Sequence, residues 1–115
     1  MRKKIICFDI DGVLCSTKKN FYKKSKPKKK NILVVNNLYN KGFYIKIFTS
    51  RFMGRSNENI IVAKKKASLL TKKQLKKWGV KYNKLIFGKP SFDLYIDDKS
   101  LYFDKNWAAK ISKLH

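Results

Sequence analysis

One stretch, residues 3–14, constrains this chain more than any other. It reads Lys-Lys-Ile-Ile-Cys-Phe-Asp-Ile-Asp-Gly-Val-Leu. The apolar run from Ile5 to Phe8 has the length and branching of a strand buried on both faces. Two carboxylates, Asp9 and Asp11, and then Gly12 follow it at once. Open α/β sheets bind ligands beyond the carboxyl ends of their strands. A strand that ends in Asp-x-Asp-Gly therefore predicts a site for phosphate chemistry. Two plainer readings compete. Asp-Gly marks many simple turns. Asp-x-Asp-Gly also opens calcium loops, but those run on through further acids to a glutamate, and no such series follows here.

The remaining chain supplies a sheet around that strand. Residues 13–27 are too polar for a core element and read as a flap or loose hairpin over the strand end. Residues 28–41 repeat apolar side chains at Ile32, Val35, Leu38 and Tyr39, a helical face, and Gly42 is a natural stop. Residues 44–48 form a second expected strand, ending in Thr49-Ser50-Arg51. Strand, crossover helix and strand make a right-handed unit with parallel strands. After a loop around Gly54, Ser56 is expected to cap a helix with Ile60, Ala63, Ala67 and Leu70 inward. Thr71-Lys72-Lys73-Gln74 has capping-box spacing, which predicts a new helix start at Thr71, stopped at Gly79. A third strand is expected over residues 84–87, leading into Gly88-Lys89-Pro90, and a fourth over 93–96, ending in Asp97-Asp98-Lys99. A last helix is expected over 105–114, with Trp107 and Ile111 inward. This order predicts a single α/β domain over residues 1–115, a Rossmann-like three-layer sandwich with a mostly parallel sheet.

Charge and cysteine usage bound the partners. The formal net charge is +22, from 29 basic and 7 acidic residues. Such a balance suits a polyanion such as nucleic acid. The excess is nearly all lysine, however, and Arg2, Arg51 and Arg55 form no cluster. Generic solvated lysines are the stronger reading. No apolar run approaches the ~20 residues of a membrane span. Asp9 and Asp11 interrupt the N-terminal run too early for a signal peptide. A cytoplasmic protein without membrane partners is expected, with both cysteines as free thiols. Cys7 reads as a small core residue and Cys15 as partly exposed. Scarcity makes the acids informative: Asp9, Asp11, Asp97 and Asp98 are four of only seven.

Parallel strands would bring all four expected strand ends to one sheet edge. They deliver Asp9 and Asp11, then Thr49 with Ser50 and Arg51, then Lys89, then Asp97 and Asp98. Taken singly, each is ordinary: a turn, a cap, one lysine of many. Together, and in this order, they resemble the four motifs of the haloacid dehalogenase (HAD) superfamily. Ile-Phe-Thr-Ser-Arg, Phe-Gly-Lys-Pro and Tyr-Ile-Asp-Asp-Lys, with the short length, are similar to small HAD phosphatases of capsule and surface-polysaccharide biosynthesis. Thr49-Ser50-Arg51 is also similar to the Ser-Gly-Arg of the polynucleotide kinase-phosphatase branch.

The resemblance implies a mechanism. Asp9 would attack phosphorus and form an aspartyl phosphate. Asp11 would protonate the leaving oxygen and then deprotonate the attacking water. Mg²⁺ would take the Asp9 carboxylate, the Asp11 carbonyl oxygen and one of Asp97 and Asp98. Lys89, Thr49, Ser50 and main-chain N–H groups near Gly12 would hold the phosphoryl oxygens. The 13–27 flap and the 51–89 interval are too short for a sizeable cap domain. Substrate selection then falls to an open site, a short lid or an oligomer partner, with Arg51 and Arg55 as possible substrate contacts. The expected reaction is hydrolysis of a small sugar phosphate. The alternatives are a phosphatase acting on nucleic-acid ends and a weakly active basic binding module.

Overall fold

The computed structural model describes residues 4–19, 21–53 and 60–112. In chain order the elements are β1 (Ile5–Phe8), β2 (Cys15–Ser16), β3 (Lys26–Pro27), α1 (Lys29–Asn40), β4 (Tyr44–Thr49), α2 (Ile60–Lys77), β5 (Lys84–Phe87) and α3 (Trp107–Ser112). A short 3₁₀ turn, Tyr22–Lys24, lies between β2 and β3. The main sheet has the order β1-β4-β5. Both pairings are parallel, with Phe8 opposite Ile47 and Thr49 opposite Phe87. The α/β expectation with a parallel sheet is therefore met. The strands β2 and β3 form a separate antiparallel hairpin, Cys15 against Pro27, within the expected flap.

Alternation along the strands sorts the two sheet faces. Ile45, Ile47 and Thr49 of β4 are buried, and Tyr44, Lys46 and Phe48 between them are half-buried. Register puts Ile6 and Phe8 of β1 on the face of Ile45 and Ile47. That face packs into one core with Ile32, Val35 and Leu38 of α1, Leu75 of α2, and Trp107 and Ile111 of α3. Two successive right-handed crossovers in one direction place α1 and α2 on the same side. On the other face of β1, Ile5 and Cys7 are exposed. The strand is thus covered on one face, not two, and Cys7 is not the core residue expected. Cys15 takes that part instead: it is fully buried, at the start of the hairpin that folds back over the strand end.

Both crossover helices end by the same device. Gly42 and Gly79 have φ of +97° and +71°, a conformation that only glycine adopts without strain. After α1, Gly42 N–H donates to the Tyr39 carbonyl and Phe43 N–H to Leu38. After α2, Gly79 donates to Lys76 and Val80 to Leu75. These are Schellman closures. In the second, Val80 and Leu75 also share the hydrophobic core.

Three expectations are corrected. Tyr39 lies at the exposed margin of the α1 face. The helix α2 runs unbroken through Thr71, so the Thr-x-x-Gln pattern caps nothing; Thr71 and Gln74 are buried mid-helix. Residues 93–96 form no strand, and Leu94 and Ile96 are exposed. A local turn holds the chain there instead. The Asp97 carboxylate accepts the Lys99 N–H at 2.8 Å, and Ser100 Oγ donates to the Asp97 carbonyl. Such side-chain bonds compete with a sheet ladder. The parallel three-stranded sheet with its helices agrees with the small Rossmann-like α/β class expected. The expected loop at Gly54, the cap at Ser56 and the side chains of Ile60, Ala63 and Ala67 lie outside the described residues. Trp107 and Ile111 are buried as expected. Among the described residues no helix is long and apolar enough to cross a membrane.

Candidate active site

The carboxyl ends of β1, β4 and β5 meet at one edge, and two carboxylates stand there. Asp9 follows β1 directly. Its Oδ1 accepts the Ile10 N–H at 2.8 Å, and its Oδ2 faces Lys89 Nζ at 3.3 Å. Lys89 is placed by its own backbone, which donates to the Thr49 carbonyl at the end of β4. Partial burial pushes the Asp9 carboxyl above its ordinary range, and Lys89 opposes that rise. The result is a carboxylate stripped of part of its water yet held beside a cation. Phe92 and Tyr95 flank the same lysine, each ring centroid 5.4 Å from Nζ.

Asp11 has a different environment. Ile10, fully buried, separates it from Asp9. Arg51 grips Asp11 through both carboxylate oxygens, Nε to Oδ2 at 2.9 Å and Nη2 to Oδ1 at 3.0 Å. Thr17 Oγ1 donates to Oδ1 at 2.6 Å and also contacts Ser25 Oγ at 2.6 Å. The turn between the acids and the flap is tied down from α1. Asn31 Nδ2 donates to the Val13 carbonyl and Lys28 Nζ to that of Gly12.

The expected phosphate ligands and substrate contacts divide. Lys89 and Thr49 lie beside the acids; Thr49 is buried, its hydroxyl accepting the Arg51 N–H at 3.1 Å. Ser50 follows it, half-buried. Gly12 is corrected: its N–H donates to the Cys15 carbonyl at 2.8 Å and is not available to a ligand. Arg51 is corrected too. Its side chain has no exposed surface. A guanidinium has five N–H donors, and Asp11 takes two, Thr71 and Gln74 two more, and Cys15 Sγ the last. Arg51 therefore holds Asp11, with neither exposed side-chain surface nor a donor left over for a substrate. Arg55 lies outside the described residues.

Asp97 and Asp98 are exposed, and Asp97 is occupied within its turn by Lys99 N–H and Tyr95 Oη. The Lys99 backbone bond leads in holding the Asp97 carboxyl below its ordinary range. Among the described residues no three His, Cys, Asp or Glu side chains gather as a metal set. Among the described residues, oxygen donors for a hard cation stand together at the β1 end: the Asp9 carboxylate and the Asp11 carbonyl, which accepts no hydrogen bond there. Asp97 and Asp98 do not complete that corner as the chain is folded here.

Sequence reading missed Thr17, Tyr22, Thr71 and Gln74. The first two sit in a polar flap with no periodicity to mark them. The last two carried a signal, read wrongly: two polar residues one turn apart on the buried face of α2.

No protein-family model and no curated protein matches the chain. Solved structures do resemble it. A Vibrio cholerae protein solved as an MCSG target superposes with a TM-score of 0.82 at 23% identity, over 97% of this chain and 89% of that one. A chain of the Pnkp1/Rnl/Hen1 complex gives a TM-score of 0.55 at 20% identity, over 84% of this chain and 30% of that one. At such identities these matches speak for the fold.

Proposed function

We propose that this protein is a phosphomonoesterase of the HAD type, with Asp9 as the nucleophile. The observation that carries the proposal is the contrast between the two acids at the β1 end. Asp9 is half-buried, unclamped on Oδ2 except for Lys89, and shifted toward higher basicity. Asp11 is gripped by Arg51 and Thr17 and cannot swing to attack. Two acids with separate environments suit separate roles, attack and proton transfer. An Asp9 oxygen would form a bond to phosphorus as the ester oxygen leaves. Asp11 would give that oxygen its proton and later take one from water. Lys89 would offset negative charge on the phosphoryl group.

Mg²⁺ belongs to the proposal as the bound metal. It would sit at the Asp9 carboxylate and Asp11 carbonyl, completed by Asp97 or Asp98 once their turn comes across. When bound it would neutralise the phosphoryl oxygens. The preferred substrate class is a small sugar phosphate, in a cytoplasmic setting. The lysine-rich surface keeps phosphorylated nucleic-acid ends as the second reading. The test is a Mg²⁺-dependent screen of sugar phosphates and of 3′- and 5′-phosphorylated oligonucleotides, read as kcat/KM in one buffer at physiological salt. Faster turnover of the sugar phosphates is expected. A preference for oligonucleotides that survives added salt overturns the substrate class. No turnover of any member overturns the activity.

A further inference from the structure

We infer that Thr71 and Gln74, on the inner face of α2, are positioning residues for Asp11, acting through Arg51. The inference rests on the proposed reading of Asp11 as the proton-transfer group.

A buried hydroxyl and a buried amide are costly on a helix face unless they are hydrogen-bonded. Here both accept from one atom. Arg51 Nη1 donates to Thr71 Oγ1 at 3.3 Å and to Gln74 Oε1 at 2.5 Å. The Gln74 amide nitrogen donates in the opposite direction, to the Tyr22 carbonyl in the flap at 2.6 Å. That amide has one workable orientation. Reversed, its N–H groups would face the guanidinium, donor against donor, and its oxygen would face the Tyr22 oxygen. Gln74 therefore reads both neighbours at once and ties the flap to Arg51. Tyr22 closes the other side, its ring 5.0 Å from the guanidinium carbon.

A guanidinium is planar, so holding Nη1 fixes the edge that carries Nε and Nη2. That edge sets Asp11. Oδ1 already receives Thr17 Oγ1 and Arg51 Nη2, with the Cys15 thiol at 3.5 Å besides, so it has no open lone-pair direction. Among the described residues Oδ2 receives only Arg51 Nε, which leaves one direction open. Any proton that Asp11 gives or takes is therefore exchanged at Oδ2. The aim of that lone pair follows the roll of the guanidinium, and Thr71 and Gln74 set the roll. Neither residue reaches substrate. Their loss should misdirect proton transfer and leave binding alone.

The test compares the full-length protein with its Thr71→Ser, Thr71→Val and Gln74→Met variants, with Asp9→Asn as control. Each is assayed with Mg²⁺ on the phosphomonoester that the unaltered protein turns over fastest, and each is melted to establish that it is folded. Thr71→Val and Gln74→Met should lose about 10- to 100-fold in kcat, the scale of a small misplacement in an active site. KM should stay within about twofold. Thr71→Ser keeps the hydroxyl and should stay near the unaltered rate, although it loses a core methyl. Unchanged kcat in Thr71→Val, a loss confined to KM, or an equal loss in Thr71→Ser overturns the inference. If Gln74→Met does not fold, the Ser and Val pair at position 71 decides. An active protein with a dead Asp9→Asn control, but indifferent to position 71, sinks this inference and spares the proposed function. An inactive unaltered protein sinks both.

Discussion

Replacing Arg51 with methionine should remove a large share of this protein's stability, and the size of the effect follows from what surrounds the side chain. Arg51 has no exposed side-chain surface, and all five of its donors are engaged. Breaking a buried ion pair from one side costs about 3–5 kcal/mol. Asp11 remains 26% exposed, so water can replace part of what it loses; about 2–3 kcal/mol is the fitting share. Thr71 and Gln74 would each lose a buried partner, at about 1 kcal/mol apiece. The sum is about 4–5 kcal/mol, against a total stability of about 5–15 kcal/mol for a domain. The complementary change, Asp11→Leu, strands a buried guanidinium and should cost about as much. The double variant should be less destabilised than the two singles added together, by about 2–3 kcal/mol. Urea titration followed by far-UV circular dichroism measures all four proteins, with the slope as a check on two-state behaviour. An Arg51→Met protein within about 0.5 kcal/mol of the unaltered chain, as expected for a surface arginine, would refute the buried clamp.

Three further outcomes are expected. Gly79→Ala should cost about 1 kcal/mol, because φ is +71° while the added methyl meets nothing within 4 Å; a chemical melt checks it, and no loss would contradict the closure drawn for α2. Asp104 is held below the ordinary carboxylate range chiefly by its Lys110 bond and then by the Asn106 N–H. A lowered folded value stabilises above the unfolded pKa and is lost as pH falls through the folded one. Asp104→Asn should thus lower Tm at neutral pH and match the unaltered protein in strong acid, and a gap independent of pH would count against that pairing. Chelation should abolish phosphatase turnover and added Mg²⁺ restore it; full activity after exhaustive chelation would remove the metal from the proposal.

The parts of the fold that local chemistry dictates were legible in the sequence. Apolar runs at residues 5–8, 44–48 and 84–87 located three parallel strands, and Gly42 and Gly79 located two helix ends. Asp9, Lys89 and Thr49 could be drawn to one edge because parallel strands share a carboxyl end. What failed depended on tertiary partners. Thr71-x-x-Gln74 has the spacing of a cap, but no local rule reports that a buried guanidinium needs acceptors there. Arg51 looked like a substrate contact because its residue type says nothing about burial. Cys7 and Cys15 exchanged places because their exposure depends on what covers β1 and on how the hairpin folds back. Residues 93–96 had the pattern of a strand, yet a ladder needs a neighbour, and the Asp97 turn satisfies the backbone locally.

The central claim, that Asp9 attacks phosphorus, is tested most directly by trapping its product. The protein would be mixed with Mg²⁺ and its best phosphomonoester, quenched in acid within the first turnover, digested and examined by mass spectrometry. A phosphoryl group on the peptide that contains Asp9, labile to hydroxylamine and missing from Asp9→Asn, is the predicted result. Turnover should fall at least ~10³-fold in that variant. An Asp9→Asn protein that still hydrolyses the ester at a near-normal rate, or active protein that yields phosphate without ever carrying it on Asp9, would contradict the account.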